Sequence, residues 1–279
     1  MSSFEHFLIT RFNVRTFSKS GLDLDWLNHR FDLFDQFCYP SILNQSNQNF
    51  KWLVFFDSQT PEFFKDKVRG YSQCENFIPI YVDGEHDWRM YPEGVLSHRK
   101  EETEYLITTK IDNDDSLHKD FIKTIQENFN KQKFEFISFP YGYVFHIDKI
   151  YLLKYLENPF VTLVEKINGD KRDGFTTAIC VRHTDLTKVG SVKQVKTQPY
   201  WLQVIHERNV SNRIRGFRQP IKKLGNNFSI NPEHLPTQEE PLSIWIDRFL
   251  SLPRVALEPV IMKLPTSTKN LLKSLILRK

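Results

Sequence analysis

Trp52 to Phe56 is the longest purely apolar run in this chain, and Asp57 closes it at once. A run this short with no polar face fits a strand buried on both faces of a parallel sheet. It is far below the ~20 residues that span a bilayer. Its flanks repeat one rhythm. His6 to Val14 reads as a first strand, and a helical stretch from Asp25 carries Trp26, Phe31, Phe34 and Phe37. Pro40 marks a helix restart, since proline suits a first helical turn. Pro61 opens a helix to about Ser72, Phe77 to Val82 reads as a strand, and Tyr105 to Ile111 as a fourth. Strand alternating with helix predicts an α/β fold with a βαβ sheet. Residues 83–94 are turn-rich and read as a loop, and a helix is expected over 116–129. Beyond Lys133, residues 134–147 and 175–182 read as strands joined by tight turns, which predicts an antiparallel or mixed half.

Composition narrows the class further. With 24 Phe, 10 Tyr and 5 Trp against 10 Gly, the chain is neither disordered nor collagen-like. The Phe excess fits a large sheet core. The start lacks a basic segment followed by an apolar one, so no secretory signal is expected. Cys38, Cys74 and Cys180 are three and widely spaced, which suggests neither a disulfide framework nor a cysteine zinc site. A cytoplasmic setting is expected. The net charge of +4 conceals two basic segments, residues 208–223 at +6 and 259–279 at +5, on a remainder of −7. So mild an excess does not point to nucleic acid.

Asp112-Asn113-Asp114-Asp115 follows the fourth strand, where open α/β sheets bind ligands. Two carboxylates one residue apart can converge on Mg²⁺ or Mn²⁺, whose other positions go to phosphate oxygens and water. An EF-hand is excluded, because Leu117 stands where that loop needs Gly and Lys123 where it needs Glu. The plain alternative is a helix cap, with Asp115 the first candidate for it.

Arg11-Phe12-Asn13-Val14-Arg15, the block from Pro40-Ser41-Ile42-Leu43-Asn44-Gln45 through Phe50 to Asp57, and Thr109-Lys110-Ile111-Asp112-Asn113-Asp114-Asp115 occur in order. Pro199-Tyr200-Trp201-Leu202-Gln203-Val204-Ile205-His206 follows, then Asn209, Asn212, Arg215 and Gly216. This series resembles the rhamnosyltransferase family of GT-A-type glycosyltransferases, related to the inverting family 2. The resemblance implies a GT-A-like, Rossmann-like mixed sheet flanked by helices. It implies a nucleotide-sugar-binding half over 1–132 and an acceptor-binding half over 133–223. A C-terminal extension over 224–279 would end in a basic amphipathic helix. By the same resemblance Arg11, Asn13 and Asp57 line the nucleoside pocket. Asp112 also faces the nucleotide, and Asp112, Asp114 and His206 hold the metal, Asp114 most firmly. Lys110 departs from the Arg usual there, and Lys cannot make a bidentate fork with a diphosphate.

Further candidates come from chemistry. A diphosphate donor needs cations, and the run Arg208, Arg213, Arg215, Arg218, Lys222, Lys223 has no intervening acid; Arg213 and Arg215 are the expected contacts. An inverting transfer needs a general base. Glu165 after the apolar run 160–164 is one candidate, because burial would raise its pKa; Asp173 and Asp185 are others, with Glu165 and Asp185 preferred. The basic, leucine-rich segment 263–279 would either pack on the core or lie on an anionic membrane carrying lipid-linked acceptors. The expected activity is metal-dependent transfer of a sugar from a nucleotide-diphosphate donor to a glycan or lipid-linked acceptor. A metal-dependent nuclease or phosphotransferase and a non-catalytic carbohydrate binder are the alternatives.

Overall fold

The computed structural model describes residues 4–15, 19–167, 175–208, 214–231, 235 and 239–262. The four expected parallel strands are present as β1 (Phe4–Arg11), β2 (Lys51–Asp57), β3 (Phe77–Val82) and β4 (Tyr105–Lys110). Leu53, Val54, Phe55 and Phe56 of β2 are fully buried, as a strand covered on both faces requires. One face meets α1 (Leu24–Leu33), a π-helical turn over Phe34–Cys38, α2 (Tyr39–Leu43) and α3 (Glu62–Gly70). The other meets α4 (Met90–His98), so the expected loop over residues 83–94 ends in a helix.

Pro40 has no N–H for the carbonyl four residues back. That carbonyl, on Gln36, instead accepts from Asn231 N at 3.1 Å. The proline thus ties the helical layer to the C-terminal part of the chain.

The sequence predicts a helix from residue 116. The chain instead makes β5 (Ser116–Leu117), and α5 (Phe121–Glu127) starts later. Next come β6 (Phe134–Ser138), β7 (Tyr141–His146), β8 (Lys149–Lys154) and β9 (Val161–Lys166). Of the strand expected over 175–182, residues 178–180 form a 3-10 turn, because Thr108 Oγ1 and Glu165 Oε1 take the Ala178 and Thr176 N–H groups that a ladder would use. The short helix α6 (Leu186–Val189), then β10 (Ser191–Gln194), β11 (Trp201–Ile205) and β12 (Phe217–Gln219) precede α7 (Pro241–Met262).

These strands make two sheets. The first is mixed, in the order β10-β6-β9-β4-β1-β2-β3. The second runs β12-β8-β7-β11-β5. Strands on both sides of residue 132 share the first sheet. The fold is therefore mixed α/β, with sheets flanked by helices.

The second sheet depends on Gly142. Its partner strand β11 carries the fully buried Trp201, whose Nε1 donates to Phe139 O at 2.8 Å and whose ring stacks on Phe160. A Cβ on Gly142 would sit 1.9 Å from the indole. Gly142→Ala is expected to cost about 3 kcal/mol, the upper end of ordinary overpacking. A urea midpoint equal to wild type would show that the indole can move aside.

Candidate active site

Because β1, β2 and β4 are parallel, their C-terminal ends share one edge. Asn13 and Asp57 meet there. Asn13 Nδ2 donates to Thr60 Oγ1 and Gly21 O, both at 3.0 Å, and its Oδ1 accepts from Asp57 N at 3.2 Å. Asp57 is fully buried, holding Arg15 through Nε at 3.0 Å and Nη2 at 3.2 Å and capping Gln59 N at 2.8 Å. These bonds tie Asn13 and Asp57 into a buried frame at the ends of β1 and β2, with Arg15 half-exposed beside it. Arg11 is exposed at the end of β1.

The acidic cluster lies between the two sheets. β5 and β11 are antiparallel, with Leu117 opposite Trp201 and Ser116 opposite Leu202. That pairing sets residues 112–115 against the end of β11. Asp115 is buried and its Oδ1 accepts from Val204 N at 2.9 Å. It is a latch from the acidic loop onto β11, not the helix cap expected. Burial, then the charges of Asp114 and Asp112, push its carboxyl well above the usual range. Asp114 is buried too, but its pKa moves down. Burial alone would raise it; the Arg30 guanidinium and His206 outweigh that. Asp112 is the accessible carboxylate, 39% exposed at its side chain and 3.4 Å from Lys110 Nζ.

His206, just past β11, reaches Asp114 Oδ2 at 3.0 Å through Nε2. Its Nδ1 faces Arg208 N at 3.3 Å. A backbone N–H can only donate, so Nδ1 accepts from Arg208, while Nε2 lies between Asp114 Oδ2 and Arg30 Nη1, the latter at 3.2 Å. His29 Nε2 then donates to the same Nδ1 at 3.1 Å. Burial, followed by the surrounding cationic groups, lowers the His29 pKa.

Arg30 is the central residue that sequence reasoning missed. Its Nη1 donates to Asp114 Oδ2 at 2.9 Å and its Nη2 to Asn113 Oδ1. Leu27 and Phe31 anchor α1 in the core, and Trp26, His29 and Arg30, spaced i, i+3, i+4, share the adjoining face. That spacing was readable. It was overlooked because the helix was read for its apolar residues alone.

This arrangement bears on the metal. Among the described residues no group of three or more His, Cys, Asp or Glu forms a cage. Mg²⁺ and Mn²⁺ do not require one, since phosphate oxygens and water fill most positions and one or two carboxylates suffice. Asp112 fits that use. Asp114, expected to be the firmer ligand, is bonded to Arg30 and His206.

Beside Lys110 opens a cleft of about 200 Å³, lined among others by Trp88, Val161, Arg182, His183 and Thr184. A wider depression of about 520 Å³ around Ser46, Lys123 and Glu127 contains none of the site residues.

The family described as "Putative rhamnosyl transferase" matches residues 18–218. The chain belongs to this family of glycosyltransferases. No curated protein compared with it matches. Among solved structures, residues 1–349 of Staphylococcus aureus TarS are 10% identical, with TM-score 0.43, over 72% of this chain and 60% of that one. The same fragment in complex with UDP gives 8% identity and TM-score 0.44 over 72% and 60%. The TarS structure without that truncation gives 9% and 0.43 over 73% and 37%. The chain therefore spans about three fifths of the TarS fragment and 37% of the longer TarS chain.

For a member of the rhamnosyl transferase family, the remaining candidates sort by position. Glu165 is buried, and burial raises its pKa to about 7, against a lowering bond from Thr176 N at 3.0 Å. However, it sits opposite Leu106, at the start of β4. Six residues of strand separate that point from Asp112, ~20 Å. The acid is tuned as expected but lies at the wrong edge of the sheet. Asp185 adjoins Thr184 of the cleft, and its hydrogen bond to Lys188 lowers its pKa. Asp185 has the position and Glu165 the basicity. Arg215 stacks over Tyr155 at 4.4 Å, and Tyr155 meets His183 of the cleft, which places Arg215 on the cleft side. Arg218, in the run read as a nucleotide clamp, is buried in ion pairs with Glu239 and Asp247. Arg213, Asp173, Asn209 and Asn212 lie outside the described residues.

Proposed function

We propose that this chain transfers a sugar, rhamnose by family analogy, from a nucleotide-diphosphate donor to a glycan or lipid-linked acceptor, with inversion. The observation that carries the reading is the convergence of Arg30, His206, Lys110 and Asp112 at one strand edge beside the Asp57–Arg15 frame. The frame would hold the nucleoside. Arg30 and Lys110 would face the diphosphate and offset the charge that grows on it as the glycosidic bond breaks, with His206 bracing Asp114 beside them. The sugar would project into the cleft, where Trp88 offers an aromatic wall. Asp185 at the cleft rim would take the acceptor hydroxyl's proton as that oxygen attacks the anomeric carbon. Mg²⁺ or Mn²⁺, held by Asp112 and the donor's own phosphates, would act as Lewis acid for the leaving group.

A thermal-shift panel of UDP-, GDP- and dTDP-sugars with Mn²⁺ tests this. A donor at a hundred times its Kd adds about 2.7 kcal/mol, a rise of roughly 5–10 °C for a chain of this size. EDTA should remove most of that rise yet leave the ligand-free melting temperature unchanged, because Arg30 already neutralises Asp114. If no donor raises the midpoint and none is hydrolysed, the reading fails. Phosphodiester cleavage without a sugar donor would replace it with a nuclease.

A further inference from the structure

Helix α7 is amphipathic with its faces reversed. A surface helix ordinarily turns its apolar stripe inward. Here the docked face is largely polar. Asp247 accepts from Lys149 Nζ at 2.9 Å and pairs with Arg218 at 3.5 Å, and Arg248 Nε donates to Arg218 O at 2.9 Å. Only Ile244 and Ser251 are buried among the helix's described side chains. Facing outward are Leu242 at 68% exposure, Trp245 at 68%, Ile246 at 50%, Phe249 at 74% and Leu252 at 49%. Their spacing of three or four residues puts all five on one stripe. So large a contiguous apolar surface marks an interaction site.

We infer that this stripe is a docking surface for an anionic lipid membrane, lying in the interface with the helix axis along it. Three features favour lipid over a protein occupant. The stripe joins Trp and Phe to aliphatic residues, the mixture that suits the headgroup boundary. The sequence continuing from α7 carries Lys263, Lys269, Lys273, Arg278 and Lys279 without one acid, interleaved with Leu264, Leu271, Leu272, Leu275, Ile276 and Leu277. A second copy would cover the apolar stripe yet bring more of the same positive charge. An anionic surface satisfies both the stripe and the charge, and apolar contact plus basic residues is the two-signal combination that holds peripheral proteins. Insertion would be shallow, since no described helix is long and apolar enough to cross a membrane. The inference stands on α7 and is independent of sugar transfer.

The full chain should be centrifuged with vesicles of phosphatidylcholine alone and of phosphatidylcholine with phosphatidylglycerol, beside Trp245→Ser/Phe249→Ser. Expected are binding to the anionic vesicles, weaker binding in high salt, and at least about a tenfold lower partition for the variant. Both substituted side chains are outward, so the fold and the donor-induced thermal shift should be retained, which separates loss of docking from loss of the site. Failure of wild type to bind anionic vesicles overturns the inference. Equal partition of the variant also overturns it and leaves the basic tail as the anchor. A lipid-free dimer that the variant converts to monomer, without vesicle binding, assigns the stripe to a second copy.

Discussion

Arg30→Ala is expected to cut donor turnover by about a hundredfold or more and to cost about 3–5 kcal/mol of stability. The second figure follows from burial. Arg30 and Asp114 have side-chain exposures of 15% and 7%, and removing Arg30 takes from the buried Asp114 the cation that, beside His206, holds its charge. The first follows from the loss of a preorganised donor at the developing charge, worth about 10²–10³ in comparable sites. Stability and chemistry can be separated by a double-mutant cycle. Asp114→Ala alone should destabilise similarly, whereas the double variant should cost clearly less than the two together, since no orphan charge remains. Urea titrations of the four proteins give the coupling, and single-turnover rates on the folded fraction give the catalytic part. Additive stabilities, with turnover per folded molecule unchanged, would reduce Arg30 to a surface residue that happens to lie near the acids. The conservative Arg30→Lys should restore much of the stability and less of the rate. Lysine keeps the charge but cannot bond Asp114 and Asn113 from two planar nitrogens at once.

The parallel half of the fold was legible because it is written in local terms. The β2 run ending at Asp57, the Pro40 restart and the Pro61 helix start each state their element in a few residues. The acidic cluster was legible as a candidate for the same reason, being contiguous and placed after a strand. What each acid does was not. Asp115 as latch and Asp114 as Arg30's partner are set by β11 and α1, which lie some ninety residues away on either side. The two-residue strand β5 is too short to carry a pattern, so residues 116–117 were read into the helix that follows. The 3-10 turn at Ala178–Cys180 was misread because its sequence is apolar enough for a strand. Only the tertiary acceptors at Thr108 and Glu165 exclude one. Glu165 shows the same division from the other side. Its raised pKa was inferable from the apolar run before it, while its distance from the cluster depends on β9 running antiparallel to β4.

That distance leads to an opposite expectation for Glu165. Its carboxyl titrates at about 7 in the folded chain because burial disfavours the charge, against an ordinary value of 4.5. Oε2 is buried without a hydrogen-bond partner, so nothing compensates the anion there. Between those two pH values the folded chain keeps a proton that the unfolded chain has lost. Stability must therefore fall as pH rises from about 4.5 to about 7 and level off above that. The difference of the two values amounts to about 3 kcal/mol. Glu165→Gln cannot ionise, and its amide has the same bond from Thr176 N to accept. Allowing about 1 kcal/mol for an amide N–H left unpaired, the variant should be about 2 kcal/mol more stable than wild type at pH 8. At pH 5 the advantage should vanish or reverse. Urea midpoints at the two pH values measure this directly. The variant's sugar-transfer rate should match wild type at both, since the side chain lies ~20 Å from Asp112 along the strand. A hundredfold loss of turnover with a flat stability difference would return Glu165 to the role of general base. It would also mean that the acceptor approaches from the opposite edge of the sheet.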